Sequence, residues 1–305
     1  MKPITQENDR LGFVGIGYMG RPIARRLLES GFKLTAYDRN RAKAEELIPY
    51  GGNVAQSVLE LSSSCNVVLS CLPSDEAVLD TYRGPDGVLA HAHRGSVVID
   101  MSTVYPETSQ ELSRRGAEGG VEVLDVTMSG STPTAENGLL TLFGGGDKER
   151  FDSAESIFRV IAKKYFYLGP SGSGATMKLV VNTLLGIGMQ AIAEAVALGE
   201  KAGLDRNRLL EVLSQTAVIA TAHAGKLQRA KKSDYSPQFP IRLMNKDFGL
   251  IFDLANAVGA RMPAAGAAFE INARQSEEGP EQDFSAVILQ MEKRAHLGSN
   301  GNGRT

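Results

Sequence analysis

Residues 11–27 read LGFVGIGYMGRPIARRL, an apolar run that meets a glycine-rich turn and continues as an amphipathic pattern. The apolar run predicts a buried strand, and the pattern from Gly20 predicts a helix. Gly15, Gly17 and Gly20 in this setting are typical of a turn that lets the backbone approach a dinucleotide pyrophosphate. The start of the helix would stabilise the phosphate charge. The stretch therefore predicts a nucleotide-binding fold.

An acidic residue follows at the end of the second predicted strand, where KLTAYD ends in Asp38. A carboxylate there can bind the adenine ribose hydroxyls and repels a 2′-phosphate, which favours NAD. Arg39 comes next and could bind that phosphate instead, so NADP stays possible. Two loops after later strands lie at the same predicted sheet edge. With the turn, they complete the expected cofactor-binding residues: Ile16, Tyr18, Met19, Leu72, Pro73, Ser102 and Thr103.

Apolar runs alternate with helical patterns through the first half of the chain, as in a parallel sheet with crossover helices. Strands are predicted at 11–16, 33–38, 66–72, 96–100, 121–126 and 139–146, with a helix from about 147. After residue 168 we find only helical patterns, at 175–202, 205–215, 218–230, 245–258, 264–276 and 283–294. The predicted fold is an α/β Rossmann-like doubly wound sheet in the N-terminal domain, plus an all-α C-terminal domain, joined by a long helix.

The dense Gly/Ser/Pro stretch at 169–174 marks the expected domain boundary. We assign residues 1–171 to the NAD(P)-binding domain and 172–297 to a domain for substrate binding and oligomerisation. The tail at 298–305 has no apolar residue and should be disordered. The apolar stretch 179–193 is short for a membrane span and is expected to be a buried helix.

The composition argues against several kinds of partner. The 305 residues carry a formal net charge of −2, so no overall positive field would attract nucleic acid or an anionic membrane. The two cysteines, Cys65 and Cys71, are close together on a segment predicted to be buried, which suits a reducing cytoplasm. The first ten residues lack a signal-peptide core. No metal is expected, because the pair His91 and His93 has no third ligand nearby.

Three short segments carry candidate chemistry. Lys178 and Asn182 are four residues apart and share a helix face, in a stretch that is otherwise apolar. Ser129, Gly130 and Ser131 follow a strand and offer a hydroxyl and backbone N–H groups to a carboxylate. Lys246 and Asp247 open another helix. The alternatives are a lysine that reaches solvent, a plain glycine turn and a solvated helix start, respectively.

Taken in order, these motifs resemble the β-hydroxyacid dehydrogenase family, which includes 3-hydroxyisobutyrate dehydrogenase and tartronate and other semialdehyde reductases. The resemblance covers about residues 11–293. It depends on GIGYMGRPIARRL, YDRN, CLPSDEAV, IDMST, SGSTPTAENGLLTLFGGG, GSGATMKLVVN, FPIRLMNKDFGL and DFSAVI. The motifs agree in both order and spacing.

The resemblance implies an NAD(P)-dependent oxidoreductase that interconverts a small β-hydroxyacid and its semialdehyde by hydride transfer. It implies Lys178 as the proton donor and acceptor, with Asn182, Ser129 and Gly130 beside it in the catalytic set. Substrate would also contact Ser131 and Asp247, with Lys246 near the nicotinamide. The partners implied are a small carboxylate-bearing aldehyde or alcohol and further copies of the chain, in a homodimer or homotetramer.

Two stretches depart from the family pattern. The family usually has Asp-Ala-Pro-Val before the serine, whereas this chain has Asp125-Val126-Thr127-Met128. Ser131 stands where 3-hydroxyisobutyrate-type members have a second glycine, and the semialdehyde reductase branch also has serine there. The identity of the acid therefore stays open.

Two other functions stay possible. One is an imine reductase of the same fold, although that family normally lacks a lysine at the position of Lys178. The other is a catalytically silent cofactor-binding module, and such relatives lose the same lysine. 6-Phosphogluconate dehydrogenase is related in pattern, but this chain is too short for its large helical domain.

Overall fold

The computed structural model describes residues 2–297 of the chain. It divides into two compact units between Leu179 and Val180, inside one long helix. The predicted boundary, between residues 171 and 172, falls just before the start of that helix. The predicted disordered tail lies outside the described residues.

The first unit contains one eight-stranded sheet, in the order β3-β2-β1-β4-β5-β6-β7-β8. Every neighbouring pair is parallel except β6 with β7. The predicted Rossmann-like doubly wound sheet is confirmed, and its strand order reverses between β1 and β4, where such folds bind ligands. The strands are β1 (Arg10–Val14), β2 (Lys33–Tyr37), β3 (Asn53–Val54), β4 (Val67–Ser70), β5 (Val97–Asp100), β6 (Glu122–Ser129), β7 (Leu140–Gly145) and β8 (Ala162–Tyr167).

Nine α-helices of the first unit, among the residues that the structure describes, connect these strands. Several begin at a residue that caps the free backbone N–H groups: Ser57 accepts a hydrogen bond from the Glu60 amide, and Ser74 from the Ala77 amide. The helices are α1 (Gly20–Glu29), α2 (Arg41–Glu45), α3 (Val58–Ser64), α4 (Asp75–Tyr82), α5 (Val88–His91), α6 (Pro106–Gly119), α7 (Thr132–Glu136), α8 (Lys148–Ser153) and α9 (Glu155–Ile161).

Apolar side chains cover both faces of the sheet, because successive residues of a strand point to opposite sides. Phe13 and Leu69 belong to one buried cluster with α1, α8 and α9. Val14 and Val68 belong to the other, with α3, α4 and α6. This arrangement leaves the carboxyl edge of the sheet for loops rather than for core, and the predicted cofactor residues fall there.

The second unit is helical, as predicted. Apart from an isolated bridge between Pro240 and Asp283, no strand occurs among described residues 168–297. Phe248, Phe252 and Phe269 form an aromatic cluster, with ring centroids 5.5–6.2 Å apart. The helices are α10 (Ser173–Lys201), α11 (Arg206–Ser214), α12 (Thr221–Lys231), α13 (Ile241–Val258), α14 (Pro263–Glu278) and α15 (Val287–Arg294).

Helix α10 begins in the first unit and continues through the second. It is the one helix among the described residues that could cross a membrane by length and composition alone, and 44% of its most apolar window is buried. This is weak evidence for a membrane span, because a core helix can have the same composition. The predicted helix at 175–202 is confirmed to within two residues at either end.

Several elements differ from the predictions. Strand β3 has two residues, too few for a pattern, and β8 lies at the sheet edge, where Lys163 and Lys164 are exposed and obscure the apolar alternation. The predicted helix from residue 147 is two short helices that end before β8. Strand β7 runs antiparallel to β6 because the five-residue helix α7 is too short for a crossover between parallel strands.

Candidate active site

The glycine turn after β1 is built so that its middle glycine faces open space. Gly15 has a φ of +93°, and a Cβ there would overlap the Cys71 carbonyl oxygen. A Cβ on Gly20 would overlap the Gly15 carbonyl oxygen. A Cβ on Gly17 would meet nothing within 4 Å. Packing therefore explains the outer glycines, while the space above Gly17 fits the close approach of a pyrophosphate.

Asp38 connects this turn to β2. Its Oδ2 accepts a hydrogen bond from the Ile16 amide at 2.8 Å, and its Oδ1 accepts one from the Asn40 amide at 2.8 Å. Each carboxylate oxygen has a second lone pair, so both can still accept from ribose hydroxyls. The structure thus brings together two predicted cofactor residues, Ile16 and Asp38, and leaves Arg39 exposed beside them.

A buried carboxylate lies below the two cofactor loops. Asp100, at the end of β5, accepts hydrogen bonds from the hydroxyls of Ser70 and Ser102, each at 2.6 Å. The Ser70 oxygen also lies 2.6 Å from the buried Tyr82 hydroxyl. Burial raises the pKa of Asp100, while the serine hydroxyls favour its charged form. The Ser102 hydroxyl in turn accepts from the Leu72 amide at 2.8 Å, which joins the two loops.

The two loops are joined a second time on the other side. Asp75, in the first turn of α4, accepts hydrogen bonds from the Tyr105 amide at 2.8 Å and the Thr108 hydroxyl at 2.6 Å. Leu72 and Ser102 are therefore brought together as predicted, but the Ser102 side chain is buried and bonded within the protein. Pro73 is exposed and Thr103 half-buried at the same edge.

The Ser129–Ser131 turn closes the end of β6. Gly130 has a φ of +146°, and a Cβ there would come within 2.6 Å of Leu140. The Ser131 hydroxyl lies 3.1 Å from that of Thr134. Ser129 is half-buried. Since only glycine fits at position 130, the turn's tight geometry is fixed by packing.

Helix α10 starts against the same strand. Asp125 accepts hydrogen bonds from the backbone amides of Gly172 and Ala175, each at 2.9 Å. Burial raises the pKa of Asp125, and those amides act in the opposite direction. The Thr127 hydroxyl donates to the Gly174 carbonyl at 2.8 Å. The half-buried Lys178 follows in the next turn of the helix.

In the second unit, Asn182 contacts the predicted pair Lys246 and Asp247. Asn182 is 1% exposed, and its Nδ2 donates to Asp247 Oδ2 at 2.5 Å. Lys246 Nζ lies 2.8 Å from Asp247 Oδ1 as an ion pair. Among the described residues, Asn182 Oδ1 is buried with no hydrogen-bond partner. The structure therefore brings Asn182, Lys246 and Asp247 together, with one buried acceptor left for a ligand to satisfy.

Asp75, Asp100, Asp125 and Thr127 were missed by sequence reasoning. Each bonds a segment far away in the chain, and only Asp100 and Asp125 give a signal, as acids at or near the ends of apolar strands. Within residues 2–297, no cluster of three or more His, Cys, Asp or Glu side chains could hold a metal ion.

Two family models match consecutive parts of the chain. Residues 10–169 match the NAD-binding domain of 6-phosphogluconate dehydrogenase. Residues 172–291 match the NAD-binding region of NADP-dependent 3-hydroxyisobutyrate dehydrogenase. Together with the open space above Gly17, these matches show an NAD(P)-binding protein.

Curated relatives and solved structures align over nearly the whole length. Glyoxylate/succinic semialdehyde reductase 1 of Arabidopsis thaliana is 36% identical over 91% of this chain and 96% of its own. The NAD-dependent L-serine dehydrogenase of Pseudomonas aeruginosa is 32% identical, over 91% and 96%. The 3-hydroxyisobutyrate dehydrogenase of Mycobacterium tuberculosis, solved with L-serine, has a TM-score of 0.83 at 30% identity, over 93% and 99%.

Imine reductases share the fold at a greater distance. The structure of the enzyme from Pseudomonas sp. has a TM-score of 0.59 at 20% identity, over 93% of this chain and 99% of its own. At that identity the likeness concerns the fold alone.

Proposed function

This chain belongs to the β-hydroxyacid dehydrogenase family of NAD(P)-dependent oxidoreductases, and from that premise we propose that it interconverts a small carboxylate-bearing semialdehyde and the matching hydroxyacid. The observation that carries the proposal is the pair on α10. Lys178 offers an amine, and Asn182 offers a buried, unsatisfied carboxamide oxygen on the same face one turn later.

The proposed mechanism assigns proton transfer to Lys178. When bound, the nicotinamide cofactor supplies or accepts the hydride. In reduction, Lys178 Nζ donates a proton to the substrate carbonyl oxygen as that oxygen gains negative charge. In oxidation, the neutral amine accepts the hydroxyl proton. The second Nδ2 hydrogen of Asn182 can donate to the same oxygen, while the first donates to Asp247, which maintains the orientation of the amide.

The substrate carboxylate is assigned to the Ser129–Ser131 turn. A hydroxyl and consecutive backbone N–H groups can bind a carboxylate, and glycine at position 130 permits the close approach. Ser131 supports an aldehyde substrate of the semialdehyde reductase kind, because that branch of the family also has serine at this position. The relative named for glyoxylate and succinic semialdehyde reduction supports the same choice.

The experiment that tests the function follows NADH and NADPH absorbance with glyoxylate and with succinic, tartronic and methylmalonic semialdehydes. L-serine and 3-hydroxyisobutyrate serve for the oxidative direction. We expect turnover that Lys178→Ala lowers by about 10²- to 10⁴-fold. Lys201→Ala, at the exposed far end of the same helix, is the matched control. Cofactor binding without turnover of any substrate would refute the substrate class and favour an imine reductase or a silent module.

A second copy of the chain is the proposed partner of α10. Its exposed face carries Val180, Leu184 and Leu198, which are 50%, 70% and 72% exposed. Large apolar side chains repeated along one helix face favour burial against another surface. Light scattering after size-exclusion chromatography should give the molar mass of a dimer or tetramer. The Leu184→Glu variant should have a lower molar mass, closer to that of a monomer. A monomeric wild type would contradict this.

A further inference from the structure

Strand β6 holds the first turn of α10 through a carboxylate. The Asp125 side chain is 2% exposed, and each of its oxygens accepts one backbone amide, from Gly172 and from Ala175 at 2.9 Å. The N-terminal N–H groups of a helix have no partner within the helix, and a negative charge there is favourable. The start of α10 is therefore attached to the strand at two points.

A hydroxyl makes the third attachment. Thr127, fully buried, donates to the Gly174 carbonyl oxygen at 2.8 Å. In an α-helix that carbonyl also accepts the backbone N–H of residue 178, four positions later. The backbones of α10 and β6 are in close contact, since a Cβ on Gly174 would overlap the Asp125 carbonyl oxygen. The strand thus fixes the turn from which Lys178 projects.

The same face of β6 leads to the substrate turn. Residues 125, 127 and 129 alternate along the strand, so their side chains point to one side of the sheet. Two of them bond α10, and the third, Ser129, opens the turn assigned to the substrate carboxylate. One rigid strand therefore carries both the anchor of the lysine helix and a substrate group.

We propose that Asp125 and Thr127 are positioning residues: by anchoring the start of α10, they hold Lys178 level with Ser129 along strand β6. This inference rests on the role proposed above for Lys178. The anchoring by Thr127 is specific to this chain. Thr127 stands where the family's Asp-Ala-Pro-Val has proline, and proline has no side-chain donor. Misplacement of a proton donor by a fraction of an ångström lowers the rate of the chemical step more than the affinity for substrate.

The test compares Thr127→Val, which removes the hydroxyl at nearly constant volume, with Thr127→Ser, which keeps it. Thr127→Val should lower kcat about tenfold with KM within about twofold of wild type. Thr127→Ser should keep a kcat close to that of wild type. Thr216→Val, which removes a similar hydroxyl–carbonyl bond at 2.9 Å in the second unit, should leave both constants unchanged.

Hydrogen exchange provides a readout that needs no turnover. Amides of the first turns of α10 should exchange faster in Thr127→Val than in wild type, and at the wild-type rate in Thr127→Ser. If wild type turns over no substrate, the proposed function fails and the exchange data alone decide the anchoring. The inference is overturned if Thr127→Val matches wild type, or if Thr127→Ser is as impaired as Thr127→Val.

Discussion

A pair of partly buried carboxylates in the second unit predicts an unusual dependence of stability on pH. The Glu200 and Glu292 side chains are each 13% exposed and share one cation, Arg206. Arg206 Nε lies 2.6 Å from Glu292 and 3.9 Å from Glu200, and the guanidinium also donates to the Tyr235 hydroxyl. Burial, Glu292 and nearby Asp205 raise the pKa of Glu200 to about 7, against the opposing effect of Arg206.

The sign follows from the direction of this shift. An acid whose pKa rises on folding stabilises the folded state while protonated. That stability is complete below its ordinary pKa of about 4.5 and is lost as pH rises through about 7. At about 1.4 kcal/mol per pH unit the full effect would be about 3.5 kcal/mol. Solvent reaches part of the pair, so we expect about 2 kcal/mol. In the Glu200→Gln variant the side chain at position 200 is neutral at every pH. Its free energy of unfolding should therefore not fall in this way as pH rises.

The assay is urea unfolding followed by circular dichroism at pH 5, 6, 7 and 8. Relative to wild type, the free energy of unfolding of Glu200→Gln should rise by about 1.5 kcal/mol from pH 5 to pH 8, because part of the effect is already lost at pH 5. The Glu277→Gln variant, at an exposed carboxyl on α14, should show no such trend. A difference between Glu200→Gln and wild type that is constant over this pH range would refute the reasoning.

Three further predictions concern residues that the fold holds in place. Asp100→Ala should raise the KM for cofactor about tenfold with kcat within about threefold, because Ser102 loses its acceptor; Asp100→Asn, whose amide oxygen still accepts, should resemble wild type. Gly20→Ala should abolish cofactor binding, measured by NADH fluorescence, since a Cβ there overlaps a backbone carbonyl oxygen. Lys226→Met should lower the free energy of unfolding by about 3–5 kcal/mol, because the fully buried Asp283 would lose its partner at 2.6 Å.

Each of these three predictions has an outcome that would contradict it. Equal cofactor KM values for Asp100→Ala and wild type would show that the loops keep their geometry without the carboxylate. Normal NADH binding by Gly20→Ala would mean that the turn can open. A loss below 1 kcal/mol in Lys226→Met would show that the remaining donors to Asp283 satisfy its charge; they are the Gln238 and Phe239 amides at 3.1 Å and the amide and hydroxyl of Ser285.

The fold was largely predictable because its strong elements carry their own pattern. Strands such as β4 and β5 are continuous apolar runs, and α10 is a long apolar helix, so local sequence suffices to identify them. Strand β8 was missed because it is an edge strand whose register is set by β7 rather than by its own residues. Its two lysines suit an exposed edge and hide the strand from a pattern search.

The site was predictable only where a motif coincides with a backbone requirement. Gly15, Gly17 and Gly20 were found because the turn excludes side chains at two of them and leaves space at the third. Asp75 and Asp100 could not be assigned, since each bonds a loop that is distant in sequence and near only after folding. Ser102 stays a predicted cofactor residue, and the bonds of its hydroxyl to Asp100 and to the Leu72 amide could not be read from the sequence.

The strand order has a consequence for how the chain can be made. Strand β2 lies beside β1, β3 beside β2, and β4 on the free side of β1. Each strand from β5 to β8 then lies beside the strand before it. As the polypeptide leaves the ribosome, every new strand therefore finds its neighbour already present, and none must be inserted between two existing strands. The sheet can grow during synthesis by simple addition at its edges, which limits the time that unpaired edges remain open to aggregation.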